Sequence, residues 1–66
     1  MITLTRVNGQ PVMLNCDLIE IIEENEHTVV TLTTGNAVVV CERMPEIEAR
    51  IVAFRRKVYG PRETSV

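Results

Sequence analysis

The chain has almost no aromatic residues, with Phe54 and Tyr59 alone and no tryptophan. A core built from this composition must be aliphatic, filled by Ile, Val, Leu and Met. Histidine is limited to His27 and cysteine to Cys16 and Cys41. No Cys-x-x-Cys or His-x-x-x-His spacing occurs, so a structural metal site is not expected. Two cysteines with no secretory signal before them make a poor disulfide framework. Both sit in apolar stretches and are expected as reduced, buried thiols of a reducing compartment. No apolar run approaches the roughly 20 residues that a membrane span needs. The longest, Ala37 to Cys41, has the length of a strand. A cytoplasmic chain without membrane insertion is therefore expected.

Catalytic groupings are missing as well. Cys16 or Cys41 with His27 would be the one conceivable nucleophile pair, and nothing in the sequence orients it. Glu23 and Glu24 are adjacent, so on a strand they point to opposite faces and cannot act together. Gly9, Gly35 and Gly60 are scattered turn and cap residues, not a phosphate-binding loop. Neither an enzyme nor a cofactor-dependent protein is expected.

What is present is a series of short β-branched runs cut by turn signals. Ile2 to Val7 alternates apolar and polar residues and meets Asn8-Gly9. Asn-Gly between such runs predicts a hairpin with a type I′ turn, which needs positive φ at both central residues. Gln10 to Asn15 is the returning strand, with Pro11 confined to its start or to a sheet edge. Asn15-Cys16-Asp17 reads as a connection. Leu18 to Glu24 fits a short helix as well as a strand. Its three isoleucines and short length favour a strand, with Ile19 and Ile21 on one face and Leu18, Glu20 and Ile22 on the other. A second hairpin runs from His27 to Thr33, turns at Thr34-Gly35-Asn36, and returns over Ala37 to Glu42.

The last element is a helix. Pro45 suits its first turn, and Glu46 and Glu48 lie near the positive end of its dipole. Ile47, Ile51, Phe54 and Val58 form one apolar stripe. Arg55, Arg56 and Lys57 suit the last turns, and Gly60-Pro61 stops the helix. These elements give one α+β domain over residues 1–60. It is mainly β, a small antiparallel meander of about five strands with one C-terminal helix packed on it, followed by a flexible tail over 61–66. At 66 residues the chain buries only about 60% of its unfolded surface, so self-association is the expected compensation. Val52 and Tyr59, off the helix stripe, are the candidates for that contact.

Net charge is −2 but segregated. Asp17, Glu20, Glu23, Glu24 and Glu26 make the middle acidic; Arg50, Arg55, Arg56, Lys57 and Arg62 make the end basic. Such asymmetry can orient a partner or a second copy.

In order along the chain, Ile2-x-Leu4-Thr5-Arg6-x-Asn8-Gly9 is followed by Leu14-Asn15-x-Asp17-Leu18-Ile19-Glu20, then Glu23-Glu24. After these come Thr28-Val29-Val30-Thr31-Leu32-Thr33-x-Gly35 and Val40-x-Glu42. This succession resembles the FlbD-type flagellar proteins, also described as swarming motility protein SwrD, over about residues 1 to 58. Cys16 stands where members often carry proline, and Met44-Pro45 replaces a more usual small or acidic helix start. The resemblance implies a non-enzymatic cytoplasmic accessory protein of flagellar motility. It would act by protein contact on the flagellar motor or stator to support torque, peripherally at the flagellar base. Polar residues at hairpin tips and strand ends are the candidate partner contacts: Arg6, Asn8, Asn15, Asp17, Glu20 and Glu42.

A rival resemblance exists. Met1-Ile2-x-Leu4-Thr5-Arg6 and Glu46-Ile47-x-x-Arg50-Ile51 are similar to the carbon storage regulator family, dimers that bind messenger RNA leaders. In that family an arginine lies three residues before the isoleucine; here that position is Met44. The acidic middle also opposes phosphate binding, which draws on clustered Lys and Arg. RNA binding is thus the alternative, and nucleic acid the less expected partner.

Overall fold

A computed structural model describes residues 1–59, Tyr59 by its backbone only. The expected tail at 61–66, the Gly60-Pro61 stop and the Tyr59 side chain lie outside the described residues. Five strands and one helix follow in order: β1 (Ile2–Thr5), β2 (Pro11–Leu14), β3 (Ile19–Glu24), β4 (Thr28–Leu32), β5 (Ala37–Val40) and α1 (Met44–Tyr59). A single 3₁₀ turn, Cys16–Leu18, separates β2 from β3.

The strands form two antiparallel sheets, β1-β2 and β3-β4-β5. A simple meander would pair β2 with β3, but the 3₁₀ turn carries the chain away between them. The sheets meet elsewhere. Arg6 bridges Val40, and the Cys41 N–H donates to the Thr5 carbonyl at 2.8 Å, so β1 lies beside the end of β5.

Both hairpin tips are built alike, and neither is a type I′ turn. Arg6 O accepts from the Gly9 N–H at 2.8 Å, and the Arg6 N–H donates to Gln10 O at 2.8 Å. Leu32 makes the matching pair with Gly35 and Asn36 at 2.9 and 2.8 Å. Gly9 and Gly35 have φ of 91° and 95°, and no other described residue has positive φ. This is a type I turn closed by a left-handed glycine, which places a three-residue loop where Asn-Gly alone suggested two. Asn8 therefore keeps negative φ and turns its side chain to the Gln10 N–H (3.0 Å).

Leu18 to Glu24 resolves into the end of the 3₁₀ turn plus a strand with a bulge. Ile19 pairs with Leu32 and Ile21 with Thr31, leaving Glu20 as the extra residue. The bulge reverses the expected alternation. Ile19 and Ile22 pack against the core, while Ile21 faces solvent at 49% exposure.

The core is aliphatic: Ile2, Leu4, Leu14, Cys16, Val30, Val38, Val40 and Ile47 are buried. Leu4, Val30, Val40 and Ile47 have no exposed surface, so α1 is pinned at its first turn by Ile47. Ile51 and Phe54 continue the contact, half-buried. Val58, expected on the same stripe, is exposed and lies outside the core cluster that Ile47, Ile51 and Phe54 join. Cys16 is a buried free thiol as expected. Cys41 is free but exposed, since β5 ends at Val40 and the chain turns outward there.

Candidate functional site

Helix α1 is fastened to the strands by two glutamate–arginine clusters, one on each flank. The first begins at Glu42, just after β5. Its Oε1 accepts from the Thr5 N–H at 2.8 Å and its Oε2 from Arg50 at 3.2 Å. Arg50 also donates to the Thr3 carbonyl at 2.6 Å and to Glu46 Oε2 at 2.9 Å. The Glu46–Arg50 pair is the i,i+4 arrangement that one helix face provides. Glu42 is only 8% exposed, and so closes off the unpaired Thr5 N–H where β1 leaves its hairpin ladder. Burial pushes its carboxyl up, but the Thr5 hydrogen bonds and the Arg50 charge outweigh that and hold it below its ordinary value.

The second cluster is centred on Glu24, the last residue of β3. Its Oε1 accepts from the Met44 N–H at 2.8 Å, capping α1 from another element, and its Oε2 pairs with Arg43 at 2.8 Å. Arg43 donates further to the carbonyls of Asn25 and Glu26, both at 3.2 Å, tying the β3–β4 turn to the helix start. The Met44 hydrogen bond, opposed in part by desolvation and aided by Arg43, lowers the Glu24 carboxyl. A carboxylate at a helix N-terminus is favoured by the free N–H groups and the dipole.

The six residues expected as partner contacts do not converge. Arg6 and Asn8 are exposed at the β1–β2 tip, which lies beside Cys41 near the start of α1. Asn15 caps the 3₁₀ turn by accepting from the Asp17 N–H at 3.0 Å. Asp17 faces Arg55 at 3.6 Å. Arg55 lies eleven residues beyond Met44, about 16 Å along the helix at 1.5 Å per residue. Glu20 is exposed at the bulge. Glu42, expected at the surface, is instead the buried tie just described; a glutamate after a strand was indistinguishable in sequence from a solvated one. Val52 is exposed on α1 as expected of an off-stripe residue.

Sequence reasoning missed Glu24, Arg43 and Arg50 as a framework. The i,i+4 spacing of Glu46 and Arg50 was a readable signal; the reach of Arg50 to Thr3, 47 residues away, was not.

Grooves open on both flanks of α1. The one against β1, about 500 Å³, runs past Ile2, Thr5, Arg50 and Phe54. The one against β3, about 530 Å³, is lined by Ile22, Met44, Pro45, Glu48, Ile51 and Val52. Among the described residues no cluster of three or more His, Cys, Asp or Glu side chains could hold a metal ion, and no helix is long and apolar enough to cross a membrane.

Residues 1–59 match a family model described as FlbD, flagellar and swarming motility proteins. Neither curated proteins nor solved structures return a match.

Proposed function

From the premise that the chain belongs to the FlbD family of flagellar and swarming motility proteins, we propose that it is a non-enzymatic accessory factor that supports torque through protein contact with the flagellar motor or stator. The observation that carries this reading is the family match across residues 1–59, every described element included. The surface is consistent with it. The exposed polar tips and the groove-lined flanks of α1 are contact features, while Arg43 and Arg50 are committed to holding the fold. Arg50, in the stretch similar to RNA-binding carbon storage regulators, and Arg43, one position before the Met44 that replaces their arginine, are both held by glutamates. That engagement lowers their availability to phosphates and favours a protein partner.

Deleting the gene and measuring swimming speed, swarming and filament number tests the proposal. Normal filaments with slow swimming are expected. Full motility would overturn a motility role, and loss of filaments would move the action from torque to assembly. A low-salt gel shift with total cellular RNA is expected to stay negative; a salt-sensitive shift would replace the protein partner by RNA.

A further inference from the structure

The geometry points to β3 and its flanking groove on α1 as the docking site for an extended, basic segment of a partner protein, which adds to β3 as a new edge strand. This names the chemistry of the partner surface and rests on the protein-contact reading above.

Three observations carry it. First, β3 pairs with β4 through one edge only, and among the described residues no strand lies against the other. Such an edge presents unpaired N–H and C=O groups, the usual template for strand addition. The bulge at Glu20 leaves a regular ladder over Ile21–Glu24, long enough for a short added strand.

Second, the edge does not stand alone. Ile22 on β3 and Met44, Pro45, Ile51 and Val52 on α1 form an apolar trough beside it. A strand added about 4.8 Å from β3 would drop alternate side chains into this trough and turn the others outward beside Ile21 and Glu23. Backbone pairing would give affinity, and the trough would select apolar residues at every second position.

Third, charge selects the occupant. Glu20 and Glu23 on the strand and Glu48 on the trough rim are exposed and in no ion pair among the described residues. Asp17, Glu24 and Glu26 add to the same acidic flank, against Arg43 and Arg55. A second copy is a poor occupant of this edge. In the antiparallel register that overlaps all six residues of β3, Glu20 of each copy would lie opposite Glu23 of the other, and like charges directly opposed destabilise a sheet. Lysine or arginine between apolar residues fits instead, with electrostatic steering favouring encounter.

The test is an amide NMR titration of the full chain with a short capped peptide of alternating lysine and valine. A glutamate–valine peptide of equal length serves as control. Shifts are expected at Ile21–Glu24 and Met44–Val52 with the lysine peptide alone, weakening with salt. The double reversal Glu23→Lys with Glu48→Lys touches no side chain that is bonded among the described residues. It should keep the thermal midpoint and weaken binding about tenfold. Three results would overturn the inference: shifts confined to the β1 flank or hairpin tips, equal binding of the two peptides, or the same residues shifting with protein concentration alone, which would seat a second copy there. The double variant, returned to a deletion strain, separates the two readings. If it restores motility while failing to bind the peptide, the docking inference falls and the motility role stands. If the deletion strain swims and swarms normally while the wild-type chain binds the peptide, the motility role falls and the docking site stands.

Discussion

The two flanks of α1 use the same chemistry for different ends. On the β1 flank, Glu42 takes a backbone N–H from β1 and an arginine from the helix, and does so buried. On the β3 flank, Glu24 takes a backbone N–H from the helix and the preceding arginine, and does so in reach of water. One is an internal strut whose removal strands polar groups out of solvent. The other is a surface latch that water can replace. The flank with the strut has its strand joined to the second sheet. The flank with the latch keeps an open edge and a groove. Rigidity and access are thus divided across one helix: grooves lie on both flanks, and the open strand edge beside the helix lies on the β3 flank.

Removing the shared foundation should break both flanks at once. Leu4 is fully buried within the cluster that includes Ile47, so Leu4→Ala should cost about 2–5 kcal/mol and unfold much of the domain at ambient temperature. Urea denaturation followed by circular dichroism reads this directly.

Breaking the strut alone comes next. Glu42→Ala leaves the Thr5 N–H without its acceptor and takes from Arg50 one of its three, and should cost about 1–3 kcal/mol. The same contact has a pH signature. Glu42 titrates lower in the folded chain than its ordinary 4.5, so an unfolded chain takes up the proton first as pH falls. Its stabilisation is complete above that ordinary value and is lost as pH falls through the folded one. Glu42→Gln should therefore flatten the acid limb of a stability–pH curve and leave its slope near neutral pH unchanged, where neither the folded nor the unfolded carboxyl binds the proton.

The two sheets can be compared through their matched turns. Gly9→Ala and Gly35→Ala meet no atom that a Cβ would strike, so each pays only for the left-handed backbone, about 1–2 kcal/mol. Equal losses in thermal scans would mean that both hairpins belong to one cooperative unit. A smaller loss at Gly9 would mean that the β1–β2 hairpin opens first.

The gentlest change sharpens the contrast. Glu24→Gln keeps an acceptor for the Met44 N–H and removes the charge, so the global midpoint should barely move. Faster hydrogen exchange at the first amides of α1 is the expected readout, and a large loss of overall stability would deny that Glu24 is a surface latch.

Much of this architecture was readable from the residues. Asn8-Gly9 and Gly35 located both hairpins, because only a left-handed position demands glycine there. The α1 stripe of Ile47, Ile51 and Phe54 named the helix face correctly. The turn type was not readable, since Asn-Gly serves a two-residue and a three-residue loop alike. Nor was the bulge at Glu20: an even ladder over Leu18 to Glu24 would alternate without a break, and one extra residue exchanges the roles of Ile21 and Ile22. The junction of the two sheets rests on the Thr5–Cys41 hydrogen bond, between residues 36 positions apart, which no local pattern announces. The candidate site fared least well. Whether a polar side chain is a contact or a strut depends on what packs over it, and Glu42 shows how far that can be from its sequence neighbours.

That long-range junction also sets a clock. Every strand pairing inside the two sheets joins neighbours in the chain, and such hairpins close in about 1–10 μs. Laying Thr5 against Cys41 is different: it must wait until the intervening loop has been drawn in, at an entropic cost that grows with its length. Both sheets can therefore form early, and Leu4, Val40 and Ile47 are sealed together only when that junction closes. A newly made chain would spend its slowest moment with that apolar seam open to its surroundings.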